Sequence, residues 1–187
     1  FGLFKKKNDS DTVTVTDKVV ISEPAKLAVL LEAWNKQAQS VIVCWFEESL
    51  EKITAYMNEH SASAVPVLLV RDALTAQRAG RTPIFAEHYP LLSKEQDAYR
   101  AMHLEKAVVY SSLREPLFNQ FGGERIIQVM VQLGMKDNEL IEHSMISSAI
   151  RKAQDKIEQK TALDHLARSQ EEWIEKKYLL PIKQSLR

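Results

Sequence analysis

Apolar residues follow two rhythms along this chain. "DKVVIS" (17–22), "VIVCWF" (41–46), "VPVLLV" (65–70), "TPIFA" (82–86) and "KAVVYS" (106–111) are short continuous runs rich in β-branched residues. Between them the spacing widens to three and four. Leu27, Leu30, Leu31 and Trp34 share one face of a helix predicted over 23–38, and further helices are expected at about 47–60 and near 93–103. Continuous apolar strands alternating with helices belong to a parallel sheet covered on both faces, because neither face of such a strand meets water. The expected fold class is α/β, a parallel sheet of about five strands flanked by helices. Pro66 and Pro83 stand at strand beginnings, where a missing N–H costs little.

After Pro116 the strand signals stop. The period turns helical, first over 124–133 and then from Ser144, where Ile146, Ile150, Ala153 and Ile157 form one stripe. "KTALDHLARSQEEWIEKKYLL" carries the pattern on less cleanly through Leu163, Leu166, Trp173 and Tyr178, so a long, largely continuous C-terminal helix over 145–180 is predicted. The organisation expected is a flexible basic N-terminus (1–12), an α/β domain (13–143) and a helical extension (144–187). There are no repeats and no low-complexity linker.

Composition narrows the function classes. A chain of 187 residues can bury one substantial core, and its 25 basic and 25 acidic residues cancel, so no global field favours nucleic acid. Cys44 is the single cysteine and sits in an apolar run, which reads as a structural thiol in a reducing compartment. No stretch approaches the ~20 apolar residues of a membrane span, and a cytoplasmic location is expected. Phe1, Leu3 and Phe4 beside Lys5, Lys6 and Lys7 suit at most a weak membrane-surface contact.

Candidate chemistry is sparse. Gly122 and Gly123 open the helix at 124–133 in "FGGERI", but without the GK[ST] that completes a phosphate loop they read as a structural turn. "QRAGR" (77–81) supplies Arg78 and Arg81. Glu87 and His88, with His103 as a third partner, follow an apolar strand, where α/β folds place ligands. Arg78, Arg81, Glu87 and His88 are the candidate ligand-binding set. No third ligand at a sensible spacing points to a metal, and no cofactor is expected. Ser144 reads as an N-cap, with Glu142 and His143 orienting the helix start. Trp34 and Trp45 are core candidates. Trp173 and Tyr178 on the charged tail are either an anchor or a partner contact.

"FGGERIIQVMVQLGMKDNELIEHSMISSAIRKAQDKIEQK" resembles the end of the second nucleotide-binding domain of the preprotein translocase motor SecA and the start of its scaffold helix. That family reads "FGSDRI…MMxxLGMxxxxxIEHPxVxxAIxxAQxxVE". The Phe-Gly turn, the Leu-Gly-Met, the Ile-Glu-His and the Ala-Gln keep their spacing. The likeness is close at 105–158 and looser before it, where "QSVIVCWFEESLEKITAYMNEH" is similar to "PVLVGTxSIExSExLS", "FAEHYP" to "GTERHES", and "VVYSSLREPLFNQFGG" to "FYLSLEDxLMRIFG". The resemblance implies a shortened RecA/helicase-like domain, a P-loop NTPase relative.

It also implies what a motor would need. In the family, ATP lies between two domains; the first brings the P-loop lysine and metal-binding carboxylates, and the second brings arginines from "QLRGRAGRQGD". No first domain is expected here. Where the arginine segment belongs stands "LLSKEQDAYRAMHLEKA", with only Arg100, and the family's "TNMAGRGTDI" is also missing. "QRAGR" precedes the "TPIFAEHYP" strand, whereas the family's arginines follow it. The expectation is a non-catalytic interaction module without ATPase activity, whose partner is the translocation machinery or a second copy. The alternative is a small-ligand or nucleotide-binding protein, or a small enzyme, using the strand ends near Glu87 and His88.

Overall fold

The computed structural model describes the backbone of residues 12–37, 39–78 and 80–179, and the side chains of these except 76–78 and 177–179. Phe1–Lys7 lie outside the described residues, as do the side chains of Arg78 and Tyr178. Five strands, β1 (Thr14–Val20), β2 (Ser40–Cys44), β3 (Val67–Leu69), β4 (Thr82–Phe85) and β5 (Lys106–Ser112), form one parallel sheet in the order β1-β5-β4-β2-β3. Every residue of β2 is buried, as expected of a strand covered on both faces.

Helices α1 (Glu23–Lys36) and α2 (Glu47–His60) cover one face, packing Val29, Leu30, Ile53 and Met57 on Ile42, Cys44 and Ile84. Helices α3 (Val70–Arg78) and α4 (Leu92–Ala101) cover the other, with Ala73, Tyr99 and Met102 against Val41, Val43, Phe85 and Val109. Cys44 is inert here: burial, then the nearby Glu87, pushes its thiol well above the usual range. α3 follows β3 without a break, starting at the last residue of the apolar run 65–70, so no boundary between strand and helix shows in the sequence.

The third core cluster lies where the helical extension meets the sheet. It gathers Val19, Ile21, Phe46, Leu117 and Phe118 with Ile146, Ile150, Ala153, Ile157, Trp173 and Ile174. These come from β1 and the residue after it, the turn between β2 and α2, α5 (Pro116–Asn119), α7 (Ser144–Gln159) and α8 (Gln170–Leu179), while α6 (Gly123–Gln132) packs Ile127 beside them. The free edge of β1 is closed by Ile141, which exchanges backbone hydrogen bonds of 3.0 and 2.7 Å with Val19.

Three expectations for the C-terminal region need correction. The tail is two helices, not one. α7 stops at Gln159, the Thr161 hydroxyl donates back to the Ile157 carbonyl, and α8 begins at Gln170. Its start is a capping box that the sequence carried: the Ser169 hydroxyl accepts from Glu172 N at 3.1 Å, and a Glu172 carboxylate oxygen accepts from Arg168 N. The N-cap of α7 is His143, whose Nδ1 accepts from Met145 N at 3.2 Å, and Ser144 is the first helical residue. Trp173 has no exposed surface at all, so it anchors α8 rather than offering a partner contact.

Candidate functional site

The connections decide where a ligand could sit. β2 and β4 are neighbours, but the chain leaves β2 for α2 on one face and β4 for α4 on the other. Between two such diverging loops an open crevice forms at the carboxyl ends of the strands, the usual ligand position of an open α/β sheet. Here it measures about 590 Å³. Trp45 and Phe46 after β2, Arg71 after β3 and Tyr89 after β4 form its floor, and Asp164–Arg168 with Glu172 and Lys176 form its roof. The roof was not legible in the sequence, since it comes from a segment whose spacing predicts a largely continuous helix.

Tyr89 is the hinge between floor and roof. Its ring lies 4.8 Å from that of Trp45, 5.7 Å from Phe46 and 5.9 Å from Trp173. Its hydroxyl donates to Asp164 at 2.7 Å, and Trp173 Nε1 donates to the same carboxylate oxygen at 3.0 Å. Burial, then Asp164, pushes the Tyr89 phenol far above its ordinary range, so it stays a donor. His165 stacks on Trp173 at 4.7 Å and pairs through Nε2 with the Trp173 carbonyl at 2.9 Å.

Beneath the floor lies Glu87, 3% exposed. One carboxylate oxygen accepts from Trp45 N (3.0 Å) and Phe46 N (3.2 Å), the other from the Ser49 hydroxyl (2.6 Å). These groups open α2, so Glu87 supplies the anionic cap that helix otherwise lacks. Burial raises its pKa, only partly offset by Lys26 and these donors. Lys26 is itself buried. Burial works to discharge it, but Glu115, Glu23 and Glu87 outweigh that and hold it protonated, with Glu115 and Glu23 each 2.9 Å away. Burial lifts Glu115 to about 7.

His88 points to the other side of the same loop. Nδ1 lies 2.9 Å from a Glu95 oxygen and Nε2 lies 2.9 Å from an Asp17 oxygen, with all three side chains buried. Burial alone would neutralise the imidazole, but Glu95 and Asp17 hold its pKa well above the ordinary value. Burial opposes the charge on Asp17 too, yet His88, Ser147 and Arg151 keep its carboxyl below the usual range. A second hollow of about 370 Å³ opens beside this trio, walled by Ser144, Ser147, Arg151 and Gln154 of α7. With both ring nitrogens facing carboxylates, His88 has no free lone pair for base catalysis. Among the described residues, no group of three His, Cys, Asp or Glu side chains is placed to hold a metal.

The structure therefore separates the candidate set. Arg81 precedes β4, at the amino edge of the sheet, where its exposed guanidinium reaches the Ser40 carbonyl at 3.5 Å. Glu87 and His88 follow β4, roughly 20 Å away along the strand. The backbone of Arg78 ends α3 on the same amino side as Arg81. Tyr178 falls in the last turns of α8. His103 lies in the loop after α4, also at the amino edge, with φ at 51°. Gly122 and Gly123 serve the backbone. Gly122 has φ 85° and caps α6, while a Cβ on Gly123 would meet the Leu113 carbonyl oxygen at 2.9 Å. Asp17, Glu95, Tyr89, Asp164, Gln154 and Gln170 escaped the sequence because their partners lie far away along the chain, and nothing local marks them.

No family model matches the chain. A stretch of 54 residues is 44% identical to protein translocase subunit SecA 1 of Chlorobium chlorochromatii (strain CaD3). One segment of this chain is SecA-related. The SecA of Chlorobium phaeobacteroides (strain DSM 266 / SMG 266 / 2430) matches equally, and that of Chlorobaculum tepidum (strain ATCC 49652 / DSM 12025 / NBRC 103806 / TLS) is 43% identical over the same length. Each SecA match takes in 29% of this chain and 5% of the relative. Among the described residues no helix is long and apolar enough to cross a membrane.

Proposed function

We propose that this chain is a non-catalytic protein-binding module linked to protein translocation, built on a degenerate relative of the second nucleotide-binding domain of SecA. One observation carries the reading: the crevice at the carboxyl edge is roofed by the chain's own C-terminal segment, and the charges around it are spent on one another. Arg71 lies 3.4 Å from Glu47, Arg168 2.9 Å from Glu51, Lys94 3.8 Å from Asp164, and Lys176 pairs with Glu172. Glu87 and His88 are consumed by caps and ion pairs below. Phosphoryl transfer depends on positioned, available charge around the phosphates, and this crevice supports no such set. The SecA-related segment supports the translocation link, and the partner is a protein of the translocation machinery.

Two measurements test the reading. The purified chain is expected to show no magnesium-dependent ATP hydrolysis above background; turnover that vanished in Arg78→Ala would sink it. Saturable binding to purified translocase components is expected by surface plasmon resonance, and its absence would remove the translocation link. A second reading, a small-ligand site, is favoured by the 590 Å³ volume and the aromatic floor of the crevice. A compound that raised the melting temperature of the wild type but not of Trp45→Ala would decide for it.

A further inference from the structure

We infer that the outer flank of α6 docks an acidic amphipathic helix of a partner protein. α6 carries more apolar surface than the core beneath it uses. Ile127 is buried, and Ile126 and Met130 are partly covered against the same corner cluster. Val129 and the cap residue Leu133 join no core cluster among the described residues and stand 46% and 77% exposed. With Ile126 and Met130 they fall at i, i+3, i+4 and i+7, so the four form one stripe, half seated and half open. A helix flank facing water ordinarily carries polar residues. The inference rests on the reading of the chain as a protein-binding module and is independent of the translocation link.

The charges at the two ends of the stripe describe the occupant. Arg125 lies four residues before Val129 and Lys136 three after Leu133, both exposed. Neither side chain has an ion pair among the described residues. The acids nearby in the chain are engaged elsewhere: Glu124 with Arg114 at 2.7 Å, Asp137 with the Ser22 hydroxyl, and Glu139 with the Lys136 backbone N at 3.3 Å. An apolar stripe with an unpaired cation at either end complements a helix whose own apolar face is bracketed by carboxylates.

The same charges weigh against other occupants. Two copies packed through this stripe would set Arg125 against Lys136 if antiparallel, and each cation against its own copy if parallel, a juxtaposition that costs affinity. Of the segments outside the described residues, 180–187 carries Lys183 and Arg187 without an acid, and 1–7 carries three lysines. Val129 and Leu133 bury too little apolar surface to hold a membrane.

The test is an NMR titration of the full, isotope-labelled chain with two synthetic amphipathic helices that share an apolar stripe, one flanked by glutamates and the other by lysines. Saturable shifts centred on α6 are expected with the glutamate peptide, and binding weaker by a factor on the order of ten or more with the lysine peptide. Leu133→Ser should weaken the glutamate peptide on the order of tenfold, and Arg125→Glu combined with Lys136→Glu should reverse the preference between the two. Val131, 57% exposed on the far side of Ile127, is the control: Val131→Ser should leave binding unchanged. Absence of saturable binding overturns the inference, as do equal binding of both peptides and shifts that fall away from α6. Dimerisation, or binding to vesicles of phosphatidylglycerol and phosphatidylcholine, that Leu133→Ser abolishes would assign the stripe to a second copy or a membrane and overturn it too. Translocase components that bind the wild type and the Arg125→Glu, Lys136→Glu variant alike would remove this inference and keep the proposed function; peptide binding without translocase binding would remove only the translocation link.

Discussion

α7 and α8 cover the same corner of the sheet by different means. α7 lies along the surface and buries a stripe, with Ile146, Ile150, Ala153 and Ile157 at three-to-four spacing. It adds polar tethers, among them Gln154, whose amide donates to Glu95 and to the Tyr89 carbonyl at 2.9 and 2.8 Å, and Glu158, whose carboxylate accepts from Ser93 N at 3.2 Å. α8 meets the domain through Gln170, Trp173 and Ile174, which share one face of its first turns. A stripe of four apolar residues over sixteen shows a period, and a buried face that mixes a glutamine with two apolar residues in one turn is too short to show one. Periodicity therefore announced α7 and misread α8.

Trp173→Ala should have the largest effect. Removing a fully buried Trp costs roughly 3 to 5 kcal/mol, and chemical denaturation should show it. Ile150→Ala in the stripe of α7 should cost about 2 to 5 kcal/mol. If Trp173→Ala costs under about 1 kcal/mol, the anchor is ornamental and the comparison fails. For the same reason, deleting 162–187 should destabilise the domain rather than leave it near full stability, as independent docking of the first half alone would have allowed.

The two glutamines sharpen the contrast. Gln170→Leu strands Leu117 N and the His88 carbonyl, and Gln154→Leu strands one Glu95 oxygen and the Tyr89 carbonyl. Each should cost about 1 to 3 kcal/mol. Hydrogen exchange should place the loosening in α8 for the first and in α7 for the second; loosening of both helices in both variants would mean that they dock as one unit.

pH separates the tethers further. The folded pKa of His88 lies above its ordinary 6.5, so its ion pairs contribute fully below that value and are lost as pH rises through the folded pKa. Asp17 is depressed below 3.8, and its contribution is lost only as pH falls through that region. Melting temperature should therefore decline as pH climbs above about 6.5, and His88→Gln should flatten the decline. α7 should loosen first, because Gln154 grips Glu95 while Gln170 grips a backbone carbonyl. An unchanged slope in His88→Gln would remove the charged trio from the account.

The smallest effect is expected from Met145→Ser on α7, where the side chain is 74% exposed. It should shift stability by no more than about 0.5 kcal/mol in calorimetry. A larger loss would mean that α7 is covered on both sides.

The fold class, the five strands and α7 were readable from the sequence because burial imposes a period on the residues it selects, and a period needs no partner to be seen. The "SQEE" capping box marks the start of α8 in the sequence itself, against the extended stripe that the apolar spacing suggests. What the tertiary structure alone decided is the role of each polar residue. Glu87 and His88 looked like a pair because they are adjacent. Folding turned one toward the start of α2 and the other toward Asp17 and Glu95, and left Arg81 at the far edge of the sheet. A side chain's chemistry is set by its neighbours within a few ångströms, and in a parallel sheet those neighbours are brought in by crossovers from distant parts of the chain.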